Sequence, residues 1–413
     1  MAIRRNPGLL GTAAALVLLT ACSRDPGVSS PSELPRELTA SEQQIADAGG
    51  AFGLKLFRAV SASEGNKNVF LGPLSVSMAL GMTLNGAEGA TYEAMQHTLE
   101  LAGLTEEEIN TSYQSLIELL TTVDPQVILE IANSIWYRQD FPVAADFVER
   151  NEEYFDAVVQ GLDFGSPTAV ETINDWVARN TREKIPEILD QISPLEVMFL
   201  VNAIYFKGTW QYPFDPDKTA DRPFTRADGS VVQVPSMQLE GEFPLYSDDY
   251  VTAVDLPYGG GLFSMTLLAP GPSGGTLDSL IAGLDGPRWA QITEGLRPQE
   301  LGLVQMPRFE CEYKILLNEV LKALGMEIAF GADADFDRMV EGGDAGLAIS
   351  RVLHSTFVKV NEEGTEAAAA TVVSIDRSVP PSVVLDEPFV FVIRERTSGT
   401  ILFIGKMMDP LPG

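Results

Sequence analysis

The sequence predicts a single α+β domain built on antiparallel or mixed sheets. Two observations carry this expectation. Apolar residues recur at helical spacing through the first half, whereas the second half consists of short apolar or alternating runs cut by Gly, Pro and Asp. Beyond Ala40 there is no internal repeat and no linker-like break, and 413 residues at 45% hydrophobic content are ample for one large core.

The elements follow in order. "SEQQIADAGGAFGLKLFRAV", from Ser41, places Ile45, Phe52, Leu56 and Phe57 on one helical face. "GPLSVSMALGMTLNGAEGATYEAMQHTLEL" reads as two helices, with Pro73 at a helix start and a break at Asn85-Gly86. "EEEINTSYQSLIELLTTV" is a further helix. "QVILEIANSIWY" is a buried strand carrying Val127, Leu129, Ile131 and Trp136. "AVETINDWVARNTREKI" is helical, and "EVMFLVNAIYFKGTW" is a long, almost wholly apolar strand. After Pro213, "DRPFTRADGSVVQVPSMQL", "YVTAVDLPYGGGLFSMTLLAP" and "LGLVQMPRFECEYK" read as strands divided by turns. "ILLNEVLKALGMEIAF" returns to helix. "EPFVFVIRERTSGTILFIGKMMDP" is a terminal hairpin turning near Thr397-Ser398-Gly399.

Charge and rare residues exclude several functions. A net charge of −30 repels phosphate backbones, so no nucleic-acid partner is expected. His97 and His354 are the only histidines, and Cys22 and Cys311 the only cysteines, so neither a zinc site nor any other metal centre is expected. No HExxH, GxSxG or P-loop spacing occurs, and no cofactor is implied. Cys311 alternates within a strand-like run and reads as a buried small hydrophobe. A peptidase would need a nucleophile–base pair. An anchored solute-binding lipoprotein would need two similar α/β lobes. For the first, His97 and His354 are the only imidazole candidates, and His97, in a helix with Glu93 and Glu100 nearby, reads as surface; for the second, the chain shows a helix-rich half and a strand-rich half instead.

The N-terminus carries a targeting pattern. Arg4 and Arg5 precede an apolar run from Leu9 to Leu19, too short to span a bilayer as a mature helix. The run ends in Leu19-Thr20-Ala21-Cys22, which resembles the bacterial lipobox. Residues 1–21 are therefore read as a lipoprotein signal peptide, Cys22 as the lipidated residue, 22–40 as a tether and 41–413 as the domain. The protein is expected outside the cytoplasm, anchored to a membrane by lipid.

The stretch "VNEEGTEAAAATVVSIDRSVPPS", residues 360–382, fits no single element. Its alanines favour helix, Thr371, Val372 and Val373 favour strand, and Pro380-Pro381 ends either. Five ordered segments resemble the serpin family from about Ser41 to the C-terminus. They are "NVFLGPLSVSMALGMTLNGAEGAT", "NAIYFKGTWQYPFDP", "FECEYKILLNEVLKALGMEIAF", "EPFVFVIRERTSGTILFIGKMMDP" and "VNEEGTEAAAATVV".

That resemblance implies helices packed on a large central mixed sheet, further antiparallel sheets, and an exposed reactive loop at about 362–381. It implies a non-enzymatic suicide-substrate inhibitor, expected as a monomer, whose partner is a serine protease held in a covalent complex. The hinge would be Glu363, Gly364, Thr365, Glu366, Ala367, Ala368, Ala369 and Ala370. Thr365, Ala367, Ala369, Thr371 and Val373 share one strand face, and all are small or β-branched enough to bury. The sheet-opening cluster would be Ser75, Asn202 and His354, with Trp210 near the insertion point. The family usually has two serines in that cluster; Gly72 stands in place of one, removing a hydroxyl. Counting back from Pro388-Phe389 gives Arg377-Ser378 as the reactive bond, suited to a trypsin-like protease. Counting forward from Gly364 gives Ser378-Val379, suited to an elastase-like one. A non-inhibitory member, or an inhibitor of cysteine proteases, is the alternative reading.

Overall fold

The structure, a computed structural model, describes residues 33–193, 196–343, 346–364 and 380–411. Helix α1 (Ala40–Glu64) opens on a capping box. The Thr39 hydroxyl accepts from the Glu42 N–H, and the Glu42 carboxylate accepts from the Thr39 N–H. Leu34 and Leu38 already pack on the core, and Arg36 donates to Glu42 and to the Ser115 hydroxyl. The folded body thus begins ahead of Ser41.

Strand β1 (Val69–Leu71) leads into α2 (Pro73–Leu84), which is buried on nearly every face and so can be apolar all round. Helices α3 (Gly89–Thr98) and α4 (Glu106–Thr122), the latter with its own Thr105–Glu108 capping box, are followed by β2 (Val127–Arg138). Helix α5 (Ala145–Phe155), β3 (Ala157–Leu162), α6 (Thr168–Asn180) and β4 (Met198–Gly208) complete the first half. The second half holds β5 (Ala220–Thr225), β6 (Val231–Ser247), β7 (Val251–Tyr258), β8 (Phe263–Pro270), α7 (Leu277–Gly283), α8 (Gly286–Gly295), β9 (Arg297–Pro307), β10 (Phe309–Leu316) and α9 (Asn318–Leu321). Strands β11 (Leu353–Val360), β12 (Ser382–Val384), β13 (Phe389–Glu395) and β14 (Ile401–Met407) finish the chain.

Two segments depart from the expected helices. The run from Ile315 to Phe330 does not form one helix. Ile315 and Leu316 extend β10, and α9 is short and loosens into a π turn and then a 3-10 turn around Gly325, whose φ of 121° no continuing helix tolerates. Helix α6 stops at Asn180 instead of reaching Ile185, because Arg182 and Glu183 both take positive φ, 49° and 62°.

One nine-stranded sheet has the order β1-β14-β13-β8-β7-β6-β9-β12, with β5 on β6. Every residue of β13 and β14 is buried, which explains why the terminal hairpin reads as continuous apolar runs. The central sheet is in two pieces. Strands β3-β2-β4 form one, with β2 parallel to β3 and antiparallel to β4; β10 and β11 form the other, antiparallel. Its two pieces flank a seam between β4 and β11, with α2 beneath it and α6 on the opposite face.

Candidate functional site: a sheet seam and its mouth

The seam is lined along its length by the two strands. A cavity of about 110 Å³ lies between Met198–Asn202 and Leu353–Ser355, floored by Ser75, Val76, Ala79, Leu80 and Thr83 of α2. A second, of about 20 Å³, lies between Ile204–Phe206 and Phe357–Lys359. This lining shows that β4 and β11 run in the same direction. A strand running the opposite way between them would meet a backbone edge on each side. Ile204 and Phe206 face the main core, whereas Phe199, Val201 and Ala203 pack with Trp176 of α6, so alternate residues of β4 serve opposite faces.

The structure brings Ser75, Asn202 and His354 to the wall of the larger cavity, though not as one hydrogen-bonded triad. The His354 Nε2 accepts from the backbone N–H of Gly72 at 2.9 Å, ahead of α2. Burial holds the imidazole well below its ordinary range, at about 4, so it is neutral at pH 7. The Asn202 amide donates to Asn133 Oδ1 at 2.7 Å and faces Met78 Sδ at 3.8 Å, while its own Oδ1 is buried without a partner. Asn133 in turn donates to the Phe155 carbonyl. Gly72 therefore contributes a backbone donor where a hydroxyl was expected. A Cβ there would sit 3.5 Å from Ser75 Cβ and 3.6 Å from His354 Cε1, ordinary contact distances.

The mouth of the seam is built around Trp210. Its ring stacks on Tyr258 at 4.3 Å and 9°, and its indole N–H donates to the Asn361 carbonyl at 3.0 Å. The Trp210 backbone N–H donates to Glu363, and that of Phe214 donates to Glu362. Glu362 is buried. It accepts from the Thr219 hydroxyl at 2.7 Å and faces the Arg308 guanidinium at 3.3 Å. From this anchor the chain turns at Asn361–Gly364, and Gly364 makes an antiparallel bridge to Thr209. Gly364 holds φ at 121°, and a Cβ there would run into the Gly208 carbonyl and lie 2.5 Å from the Trp210 nitrogen. Only glycine fits so close an approach. Glu363 is exposed.

On the far side the chain returns at Pro380. The Pro381 carbonyl accepts from Gly302, and β12 pairs in parallel with β9. Thr365 to Ala370, Arg377, Ser378 and Cys22 lie outside the described residues. Sequence reasoning named Trp210, Glu363 and Gly364 but missed Glu362, Arg308, Thr219 and Tyr258. Glu362 was within the motif; its partners are distant in sequence and carry no local signal. The two residues set aside stay aside: Cys311 is buried, its thiol pushed up to about 12 by desolvation, and His97 is exposed in the last turn of α3.

Comparison with known proteins matches residues 47–410 to the family model described as serpin (serine protease inhibitor). Neuroserpin of Gallus gallus is 34% identical over 373 residues, covering 86% of this chain and 90% of the relative. Leukocyte elastase inhibitor of Sus scrofa is 34% identical over 388 residues, covering 89% of this chain and all of the relative. Among solved structures, the thermophilic serpin tengpin in its native state superposes with a TM-score of 0.79 at 29% identity, covering 91% of this chain and 95% of that one.

Proposed function

The chain belongs to the serpin family of serine protease inhibitors, and we propose that it is a suicide substrate that traps a trypsin-like serine protease. The observation that supports this best is the seam between β4 and β11, which no described residue fills, with Gly364 already paired to Thr209 at its mouth. In this reading the protease serine attacks the carbonyl carbon of Arg377. The bond to the Ser378 nitrogen breaks, that nitrogen leaves as an amine with the proton, and Arg377 remains esterified to the protease. No residue of this chain supplies the nucleophile.

The cut frees the hinge to enter the seam as a strand antiparallel to both neighbours. In this reading the Thr209–Gly364 register continues down the seam. Thr365 then pairs with Gly208, Ala367 with Phe206, Ala369 with Ile204 and Thr371 with Asn202, all on the face toward α2. Small and β-branched side chains suit that face, and Glu366 falls opposite Lys207 on the other. Each new backbone hydrogen bond and each buried methyl favours insertion, at about 1 kcal/mol per bond and about 25 cal/mol per Å² of apolar area. The tethered protease is carried along and its acyl-enzyme stalls. We further propose that the protein acts as a monomer outside the cytoplasm, anchored through lipidated Cys22.

The test is to mix the domain, lacking Cys22, with trypsin and run a denaturing gel. A band at the summed mass that survives boiling in SDS is expected, with a released peptide beginning at Ser378 by mass spectrometry. Cleaved protein alone, with no gain in thermal stability, would sink the inhibitory reading for trypsin-like enzymes. A second reading, an elastase-like target cut at Ser378-Val379, draws support from the relative named leukocyte elastase inhibitor. It predicts a peptide beginning at Val379 when elastase replaces trypsin.

A further inference from the structure

Three cations lie across the outer face of the seam. The Arg182 guanidinium stands over the Tyr205 ring of β4 at 5.0 Å and pairs bidentately with Glu130 of β2, at 2.6 and 3.0 Å. Glu130 is the register partner of Tyr205, so this cation grips the β2–β4 side. Two residues on, the Lys184 ammonium stands over the Phe357 ring of β11 at 5.2 Å, on the opposite bank. At the foot of the seam Arg351, just ahead of β11, stands over Phe199 of β4 at 5.6 Å. It also pairs with buried Glu196, just ahead of β4, at 2.5 and 2.9 Å.

The turn that carries the first two cations is held in an unfavourable shape. Arg182 and Glu183 sit consecutively at positive φ without being glycine. The Thr181 hydroxyl accepts from Ile185, and the Glu183 N–H donates to Ala178, so the turn is pinned to the end of α6. Thr181, Lys184 and Ile185 roof the smaller seam cavity directly. Such strain persists where surrounding contacts outweigh it, and here they reach both banks of the seam.

We propose that Arg182, Lys184 and Arg351 form a cationic clasp across the outer face of the β4–β11 seam, and that its release sets the rate at which a strand enters. A strand between Tyr205 and Phe357 widens the distance that the Thr181–Lys184 turn spans, so at least one ring contact must break. Likewise the Arg351–Glu196 pair must part or stretch. The inference rests on reading the seam as a strand-accepting site.

The probe is a synthetic peptide with the sequence of residues 365–377, whose uptake by the intact protein is followed on a native gel and by thermal stability. Exposed cation–π contacts predict two- to fivefold faster uptake for Arg182→Gln or Lys184→Met, and about five- to thirtyfold for the two together. Arg351→Gln is expected to act at least as strongly, since it unpairs a buried carboxylate. Arg179→Gln removes the same charge one turn earlier on α6 and should leave the rate unchanged. Phe357→Tyr keeps the ring and should stay slow, whereas Phe357→Leu should match Lys184→Met; a merely structural role would not track the ring. Peptide uptake by the unaltered protein at a rate that none of these variants changes overturns the clasp alone. An unaltered protein that takes up no peptide overturns the reading of the seam, and the clasp with it.

Discussion

The Glu362 carboxylate accepts a hydrogen bond from the Thr219 hydroxyl at 2.7 Å, and it stands 3.3 Å from the Arg308 guanidinium. Two strand connections and the base of the hinge therefore meet on one buried carboxylate. Glu362→Lys places a cation against Arg308 and leaves the Thr219 hydroxyl without its acceptor. The expected loss is about 2–3 kcal/mol of native stability, since the acid is buried but Arg308 is half exposed. Denaturant unfolding measures it, and peptide uptake should accelerate because the mouth is no longer held.

Stability should depend on pH through His354. Its folded value, about 4, lies below its ordinary 6.5, so the unfolded chain binds the extra proton between those values. The contribution is fully present above pH 6.5 and is lost as pH falls toward about 4, by about 3 kcal/mol at most. Protonation would also turn the Nε2 that accepts from Gly72 into a donor facing a donor. Comparing unfolding free energies at pH 7.5 and 5 for the unaltered protein and for His354→Gln isolates this share from that of the carboxylates. The variant should show the shallower fall.

Gly72→Ser should be accepted. The backbone there has φ −107°, open to any residue, and the added Cβ finds ordinary contacts. The new hydroxyl sits beside His354 and should change stability by no more than about 1 kcal/mol, upward if it finds an acceptor. A loss of several kcal/mol on unfolding would show that the small residue is needed for packing.

Thr365→Glu should uncouple cleavage from trapping. In the proposed register residue 365 meets Gly208, where the Tyr258 ring already fills the space that a side chain would take. The variant should be cut by trypsin at the same bond yet yield mostly free cleaved protein, with a stability gain smaller than that of the unaltered chain. The ratio of complex to cleaved product on a denaturing gel reads this directly.

Much of the fold was legible because burial is two-sided in its main elements. The residues of β13, β14 and most of α2 are enclosed, so their sequences are apolar and their lengths separate strand from helix. The short α5, α7 and α8 were not picked out, and the end of α6 was overrun. There the stop is made by two non-glycine residues in left-handed conformation, which composition does not announce. At the site, Ser75, Asn202 and Trp210 were named from the motifs that carry the family resemblance, and His354 from its match to the same cluster. The clasp was not, because Arg182, Lys184 and Arg351 look like solvated charges until the aromatic rings across the seam are seen.

In the proposed mechanism β4 and β11 bound a slot that a strand fills after cleavage. Amide hydrogen exchange on Met198–Gly208 and Leu353–Val360, before and after a cut within residues 365–379, tests it most directly. The expected result is stronger protection of both strands in the cleaved protein, together with a higher unfolding temperature. Unchanged exchange on both strands after complete cleavage would contradict it.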